Sequence, residues 1–227
     1  MNITPIEAKT IPEAHFLCLK ALVDDGMGHP FERSRIYKID RGSFAGQLRH
    51  ELDYVVIHIE YPGTRPLVLD VPAGVPAPCT QEYIDNYLPY LMAGVKTPNE
   101  DYTYGIDICK QMPDIIAMYK NEGYNTNQAF MAVGSPDSIK LKDPQCLRMI
   151  DTRIERNKQG KFALNFIVYF RSWDLWAGLP GNLGGIQVLK EYMASEIGVE
   201  DGEIIASSKG LHLYEYSWPY ARAIVKR

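Results

Sequence analysis

A chain of 227 residues, 46% hydrophobic and 23% charged, holds enough apolar material for a sizeable core and has the balance of a soluble globular protein. Its net charge of −4 and its scattered lysines and arginines argue against a nucleic-acid polymer or an anionic membrane as the main partner, while leaving small anions open.

The opening residues MNITPIEAKTIPEAHF carry neither a signal-peptide pattern nor an apolar span of about 20 residues, so a cytoplasmic protein without a membrane helix is expected. Helical patterning with Pro12 near its start covers IPEAHFLCLKALVDDG. Next, DRGSFAGQLR (Asp40 to Arg49) is a glycine-containing loop flanked by arginines, suited to an anion and equally common as a turn. DYVVIHIEY (Asp53 to Tyr61) reads as a strand and the proline-rich VPAGVPAPC (Val71 to Cys79) as a loop.

Helices follow around Gln81–Ala93 and Gln111–Glu122, then strands at Ala129–Val133, Cys146–Ile154 and Lys161–Phe170. A helix at Leu183–Ile197 and strands in EIIAS and LHLYEY complete the chain. No repeat divides it, so residues 1–227 read as a single α+β domain.

In KFALNFIVYF one face carries Phe162, Leu164, Phe166, Val168 and Phe170 and the other Ala163, Asn165, Ile167 and Tyr169, so both are largely apolar. Such a strand needs cover twice, from helices and from another sheet, with a second subunit as one source. The polar turn ERNKQGK joins it to the preceding strand as an antiparallel hairpin, which brings Cys146 near Arg171. A neighbouring guanidinium lowers a thiol pKa, and the thiolate is the nucleophile. Cysteine is also among the most buried residue types, so a small hydrophobe is the competing account of Cys146.

The four cysteines, Cys18, Cys79, Cys109 and Cys146, and five histidines show no metal-ligand spacing, so no metal and free thiols are expected. YFRSWDLWAGLPGN places Arg171, Ser172 and Asp174 between tryptophans and aromatic residues, so this stretch either leaves the core or lines a polar pocket. Arg171 and Asp174 could equally be an ion pair. Asn182 suits a helix N-cap. Gly184 and Gly185, inside that helix, each cost roughly 0.8–1 kcal/mol against alanine, so a packed neighbour or a flat ligand approaches there. His212 and Tyr214 alternate onto one strand face, where they either present polar tips to a cleft or sit as ordinary satisfied groups.

The ordered motifs DPQCLR, FRSWDLWAGLPGN, LGGIQVLKEYMA and GLHLY make the second half resemble thymidylate synthases, above all the short archaeal type. Arg41–Gln47 and YTYG (Tyr102 to Gly105) match more faintly. The resemblance implies a mixed sheet covered by helices on one face and buried on the other in a homodimer. It implies reductive methylation of dUMP at carbon 5 with 5,10-methylenetetrahydrofolate or a methanopterin analogue as co-substrate.

In that scheme Cys146 adds to carbon 6 of the pyrimidine, Arg171 and Ser172 bind the phosphate, and Asn182 reads the uracil edge. His212 and Tyr214 bind the deoxyribose hydroxyl, and Asp174 and Gly178 hold the pterin. Departures from the family pattern are equally specific. The histidine after the nucleophile is replaced, with Leu147 and Arg148 following Cys146. Thr126, Asn127 and Gln128 stand where partner-donated arginines belong, leaving Arg41 or Arg148 for the phosphate. Asn86 stands where a glutamate is expected, with Glu82 and Asp85 nearby, and ARAIVKR replaces the family's apolar tail. The alternatives are a pyrimidine-nucleotide hydroxymethylase and a nucleotide-binding homologue without catalysis.

Overall fold

A computed structural model describes residues 1–24, 32–96 and 102–226, so residues 25 and 26 of the first expected helix, and Arg227 of the tail, lie outside the described residues. The chain runs β1 (Ile3–Ala8), α1 (Ile11–Asp24), β2 (Ser34–Lys38), β3 (Leu48–Leu52), β4 (Tyr54–Ile59), α2 (Gln81–Asp85) and α3 (Leu88–Met92). It continues with α4 (Gly105–Glu122), β5 (Phe130–Ala132), β6 (Leu147–Arg156), β7 (Phe162–Phe170), β8 (Trp173–Asp174) and α5 (Gly178–Ile197). β9 (Glu200–Ser208), β10 (Leu211–Tyr214) and α6 (Trp218–Val225) follow.

A six-stranded mixed sheet has the order β1-β4-β9-β7-β6-β5. Register makes its inner face continuous. Ile6, Ile57, Ala206, Val168 and Ile150 lie side by side across five strands, and all are buried. Because side chains alternate along a strand, this one row fixes which face every other residue takes. Helices α1 and α5 pack on strands that carry it, and α4 packs on β5 at the sheet's edge. The opposite face bears Val56, Ile167, Tyr169 and Met149 half-buried and Ile205 at 39% exposure.

The antiparallel hairpin of β6 and β7 forms as expected, pairing Leu147 with Phe170 at the end nearest Cys146. A second mixed sheet, order β2-β3-β10-β8, was not legible in the sequence. It sets β8 parallel to β10 with Asp174 beside His212. Several boundaries also change. The expected Gln81–Ala93 helix is two short helices, α4 starts six residues before Gln111, and the strand expected in LHLYEY stops at Tyr214, where a turn of 3₁₀ helix takes over.

Asn182 is not an N-cap, because α5 begins at Gly178. The carboxylate of Asp174 does the capping: Oδ1 accepts from the Trp176 N–H at 3.1 Å, and Oδ2 accepts from Ala177 at 3.0 Å and Gly178 at 3.1 Å. Satisfying orphan amides and favouring negative charge at a helix start both stabilise this arrangement. The paired glycines admit packed neighbours. A Cβ on Gly184 would lie 2.4 Å from Ile84 Cδ1, and one on Gly185 would lie 2.1 Å from the Tyr87 ring.

Candidate active site

Cys146 sits just before β6, half-buried, next to a register irregularity between Leu147 and Met149. The backbone N–H of Arg171 donates to the Cys146 carbonyl at 2.9 Å, and a guanidinium nitrogen reaches Sγ at 3.8 Å. The same guanidinium donates to the carbonyls of Gln145, at 3.0 Å, and Pro144, so it braces the segment that presents the thiol. Arg171 and Asp174 thus spend their polar groups on backbone. Burial pushes the Cys146 thiol up, and Arg171 and the Tyr102 hydroxyl oppose it without reversing it. The guanidinium thus lowers the thiol as expected, and desolvation outweighs it, so the net direction is upward.

An aromatic chain runs from the thiol into the cleft. Tyr102 and Tyr104 have ring centroids 5.5 Å apart, Tyr90 lies 5.6 Å from Tyr104, and Tyr87 lies 5.1 Å from Tyr90. The Tyr104 hydroxyl accepts from the Leu147 N–H at 3.4 Å, which ties YTYG to the start of β6. Tyr87 ends the chain at Asn182, whose Nδ2 donates to its hydroxyl at 2.7 Å. The Asn182 Oδ1 accepts from the indole Nε1 of Trp173 at 3.1 Å, and Trp173 stacks on Phe170 at 4.0 Å and 5°.

His212 is 2% exposed, and its Nδ1 lies 2.7 Å from the Gly210 carbonyl. A carbonyl only accepts, so Nδ1 carries the proton and Nε2 is left as a bare acceptor without a protein partner. Burial lowers this imidazole to about 3, with Arg49 adding to the effect, so the ring is neutral. Tyr214 meets the His212 ring edge-on at 4.8 Å, and Phe44 of the Asp40–Arg49 stretch stacks on Tyr214 at 4.4 Å.

Arg49 was visible in the sequence only as the end of a loop. It is instead on β3, donating to the hydroxyls of Tyr214 at 3.2 Å and Tyr37 at 3.3 Å. Its charge also acts on Cys146, Asp174 and His212, so all three lie within electrostatic reach of this one cation. Burial raises the Asp174 carboxyl against its three backbone donors. A Cβ on Gly178 would stand 3.1 Å from Asp174 Cβ and 3.8 Å from Asn182 Oδ1, so the first turn of α5 forms a narrow shelf beside both.

Ser172 is half-buried between β7 and β8. Arg41 is exposed and donates to the carbonyls of Ile139 and Leu141, each at 3.2 Å, and Ser43 binds Asp143 through its backbone N–H at 2.9 Å. Those contacts lay the Asp40–Gly46 loop against the approach to Cys146. Arg148 is half-buried near Gly134. Glu82, Asp85 and Asn86 are exposed on α2 and its end, and Tyr87, between α2 and α3, is the side chain there that reaches Asn182. Asn127 and Gln128 are exposed in the loop before β5. Among the described residues no cluster of three or more His, Cys, Asp or Glu could hold a metal ion, and no helix is long and apolar enough to cross a membrane.

The family model described as thymidylate synthase matches residues 96–227, which include Cys146, Arg171, Asp174, Asn182 and His212 but not Arg49 or Tyr87. The chain belongs to the thymidylate synthase family. Proteins named "Putative thymidylate synthase" from Methanosarcina mazei and Methanosarcina acetivorans are 26% and 27% identical to it, each covering 97% of this chain and 94% of the relative. The thymidylate synthase of Saccharomyces cerevisiae is 30% identical over 128 residues, 54% of this chain and 41% of the yeast protein. Thymidylate synthase membership therefore rests on more than the short motifs, since the archaeal relatives align along nearly the full length.

Proposed function

We propose that this protein catalyses the reductive methylation of dUMP to dTMP through a covalent Cys146 adduct. The observation that carries the reading is the convergence, in one cleft, of a braced thiol, a carboxamide with a free donor and acceptor, and a neutral histidine with an unpaired acceptor. Thiolate addition to carbon 6 moves electron density to carbon 5 and makes it nucleophilic. Arg171 and Ser172 bind the phosphate, with Arg41, in the adjoining loop, as the further cation. Arg171 also lowers the cost of ionising the thiol. His212 Nε2 accepts from the deoxyribose hydroxyl, which removes its unpaired state, and Tyr214 lies beside it.

A reduced pterin, methylenetetrahydrofolate or a methanopterin analogue, supplies the one-carbon unit and the hydride when bound. The residues present fit such a ring: the half-buried Asp174 carboxylate keeps lone pairs beyond its helix bonds, and the Gly178 shelf has no side chain to obstruct a flat group. Exclusion of water decides between a methyl and a hydroxymethyl product.

The protein acts as one cytoplasmic domain that pairs into a homodimer through the outer face of the six-stranded sheet. Incubation with dUMP and methylenetetrahydrofolate, followed by product mass, tests the activity. Thymidylate with dihydrofolate is expected and should vanish in Cys146→Ala. Hydroxymethyl-dUMP would make the protein a hydroxymethylase, and unchanged dUMP with measurable binding would make it a non-catalytic homologue.

A further inference from the structure

We infer that Trp173 is the positioning residue that sets base choice, by fixing which way round the Asn182 carboxamide stands. The inference rests on the proposed nucleotide site and deepens it. An asparagine amide is nearly symmetric in shape, so alone it reads uracil in one orientation and cytosine in the other. Uracil presents a ring N–H donor beside a carbonyl acceptor. Cytosine presents a ring-nitrogen acceptor beside an amine donor.

The indole N–H removes that ambiguity because it can only donate. Trp173 Nε1 lies 3.1 Å from Asn182, and the atom facing it must therefore be the oxygen. The ring cannot turn away: Trp173 is 1% exposed and stacked on Phe170 at 4.0 Å. A flipped amide would set two donors against each other and leave a buried indole N–H unsatisfied. On the other side Nδ2 meets the Tyr87 hydroxyl at 2.7 Å, a group that can donate or accept and so imposes no orientation.

A carboxamide has two acceptor sites and two N–H donors. Trp173 takes one acceptor site and Tyr87 one donor, leaving one acceptor and one donor on the half-buried amide. That remaining pair, in the order Trp173 dictates, complements uracil. Asn182 reads the base, and Trp173 decides what it reads.

The test is the ratio of dUMP to dCMP affinity, measured by calorimetry on the full chain so that turnover is not needed. Two variants delete the donor: Trp173→Phe, and benzothienylalanine incorporated at 173, which exchanges N–H for sulfur and keeps the ring's shape. In each the ratio is expected to fall at least about fivefold, the low end of what one buried unsatisfied donor is worth. Tyr87→Phe is the contrasting variant. It weakens both nucleotides alike and keeps the ratio, because the oxygen stays pinned. A purely structural Trp173 would weaken both nucleotides equally, so an unchanged ratio in the shape-preserving variant overturns the inference while leaving the functional reading intact. A wild-type protein that binds neither nucleotide overturns the functional reading, and the inference with it.

Discussion

Arg171 holds Cys146 twice, by a 2.9 Å backbone hydrogen bond to its carbonyl and by a guanidinium nitrogen 3.8 Å from its sulfur. The two contacts do different work. The first sets the position of the thiol, and the second tempers the cost of charging it.

Because burial raises the thiol and Arg171 opposes that rise, alkylation of Cys146 by iodoacetamide should have its midpoint above the roughly 8.5 of an ordinary thiol. Arg171→Gln should raise it further and slow alkylation at pH 8. Lys cannot reproduce the two-carbonyl brace, so Arg171→Lys should keep part of the charge effect and lose turnover by roughly tenfold or more. A midpoint below that of an ordinary thiol in the wild-type protein would contradict the balance described here.

Much of this was legible beforehand, and the exceptions have physical causes. The β6–β7 hairpin and the proximity of Cys146 to Arg171 followed from alternation and a polar turn. β2 and β3 escaped notice because their apolar alternation is broken by Arg35, Arg49 and Glu51, with Arg35 paired to Glu51 across the two strands at 2.9 Å and Arg49 to Glu51 along β3 at 3.7 Å. α4 reads as starting late because Pro113 lies inside it. Asp174 read as a pocket residue or as the ion-pair partner of Arg171, yet its carboxylate caps α5, and no spacing rule separates these roles. The sign of the Cys146 shift depends on burial, which only the assembled cleft determines. Tyr87 and Trp173 carried no signal: their importance lies in which atoms of Asn182 they meet.

Alanine at Gly185 should cost about 1–3 kcal/mol despite better helix propensity, because its Cβ would stand 2.1 Å from the Tyr87 ring. The displaced tyrosine also loosens Asn182, so KM for dUMP should rise more than kcat falls. Urea unfolding and steady-state kinetics check both. Gly184→Ala, against Ile84 at 2.4 Å, should show a similar stability loss with a smaller KM effect.

Acid should destabilise the fold through two buried histidines. Burial lowers His15 to about 4 and His212 to about 3, while an unfolded imidazole titrates near 6.5. Below pH 6.5 the unfolded chain takes up protons that the native one refuses, so this contribution is complete above 6.5 and is lost as pH falls. By pH 4.5 each group should cost roughly 2–3 kcal/mol. In urea midpoints taken between pH 7 and 4.5, His15→Gln should show a shallower decline than wild type.

Ile205 is 39% exposed on the outer face, opposite the half-buried Ile167 with which it is in register. If that face is the homodimer interface, Ile205→Lys buries an unpaired charge and should yield monomers, whereas the wild type should scatter as a dimer at micromolar concentration. A monomeric wild type would count decisively against the pairing.

Asn182→Asp should move selectivity toward dCMP, and more so in acid. The Trp173 indole still demands an oxygen, so one carboxyl oxygen faces it as before. When the acid is ionised, both free sites are acceptors: uracil keeps its ring N–H bond and loses its carbonyl partner, while cytosine keeps its amine bond and meets repulsion at its ring nitrogen. Selectivity then erodes without reversing. When the acid is protonated, it donates to the cytosine ring nitrogen and accepts from the amine, which complements cytosine at both positions. Enclosure beside Trp173 and Tyr87 favours the protonated form. The ratio of kcat/KM for dUMP over dCMP should therefore fall in Asn182→Asp at pH 8 and fall further at pH 6, with the wild-type ratio flat between them. Equal ratios in the variant at both pH values would mean that the carboxyl does not meet the base edge.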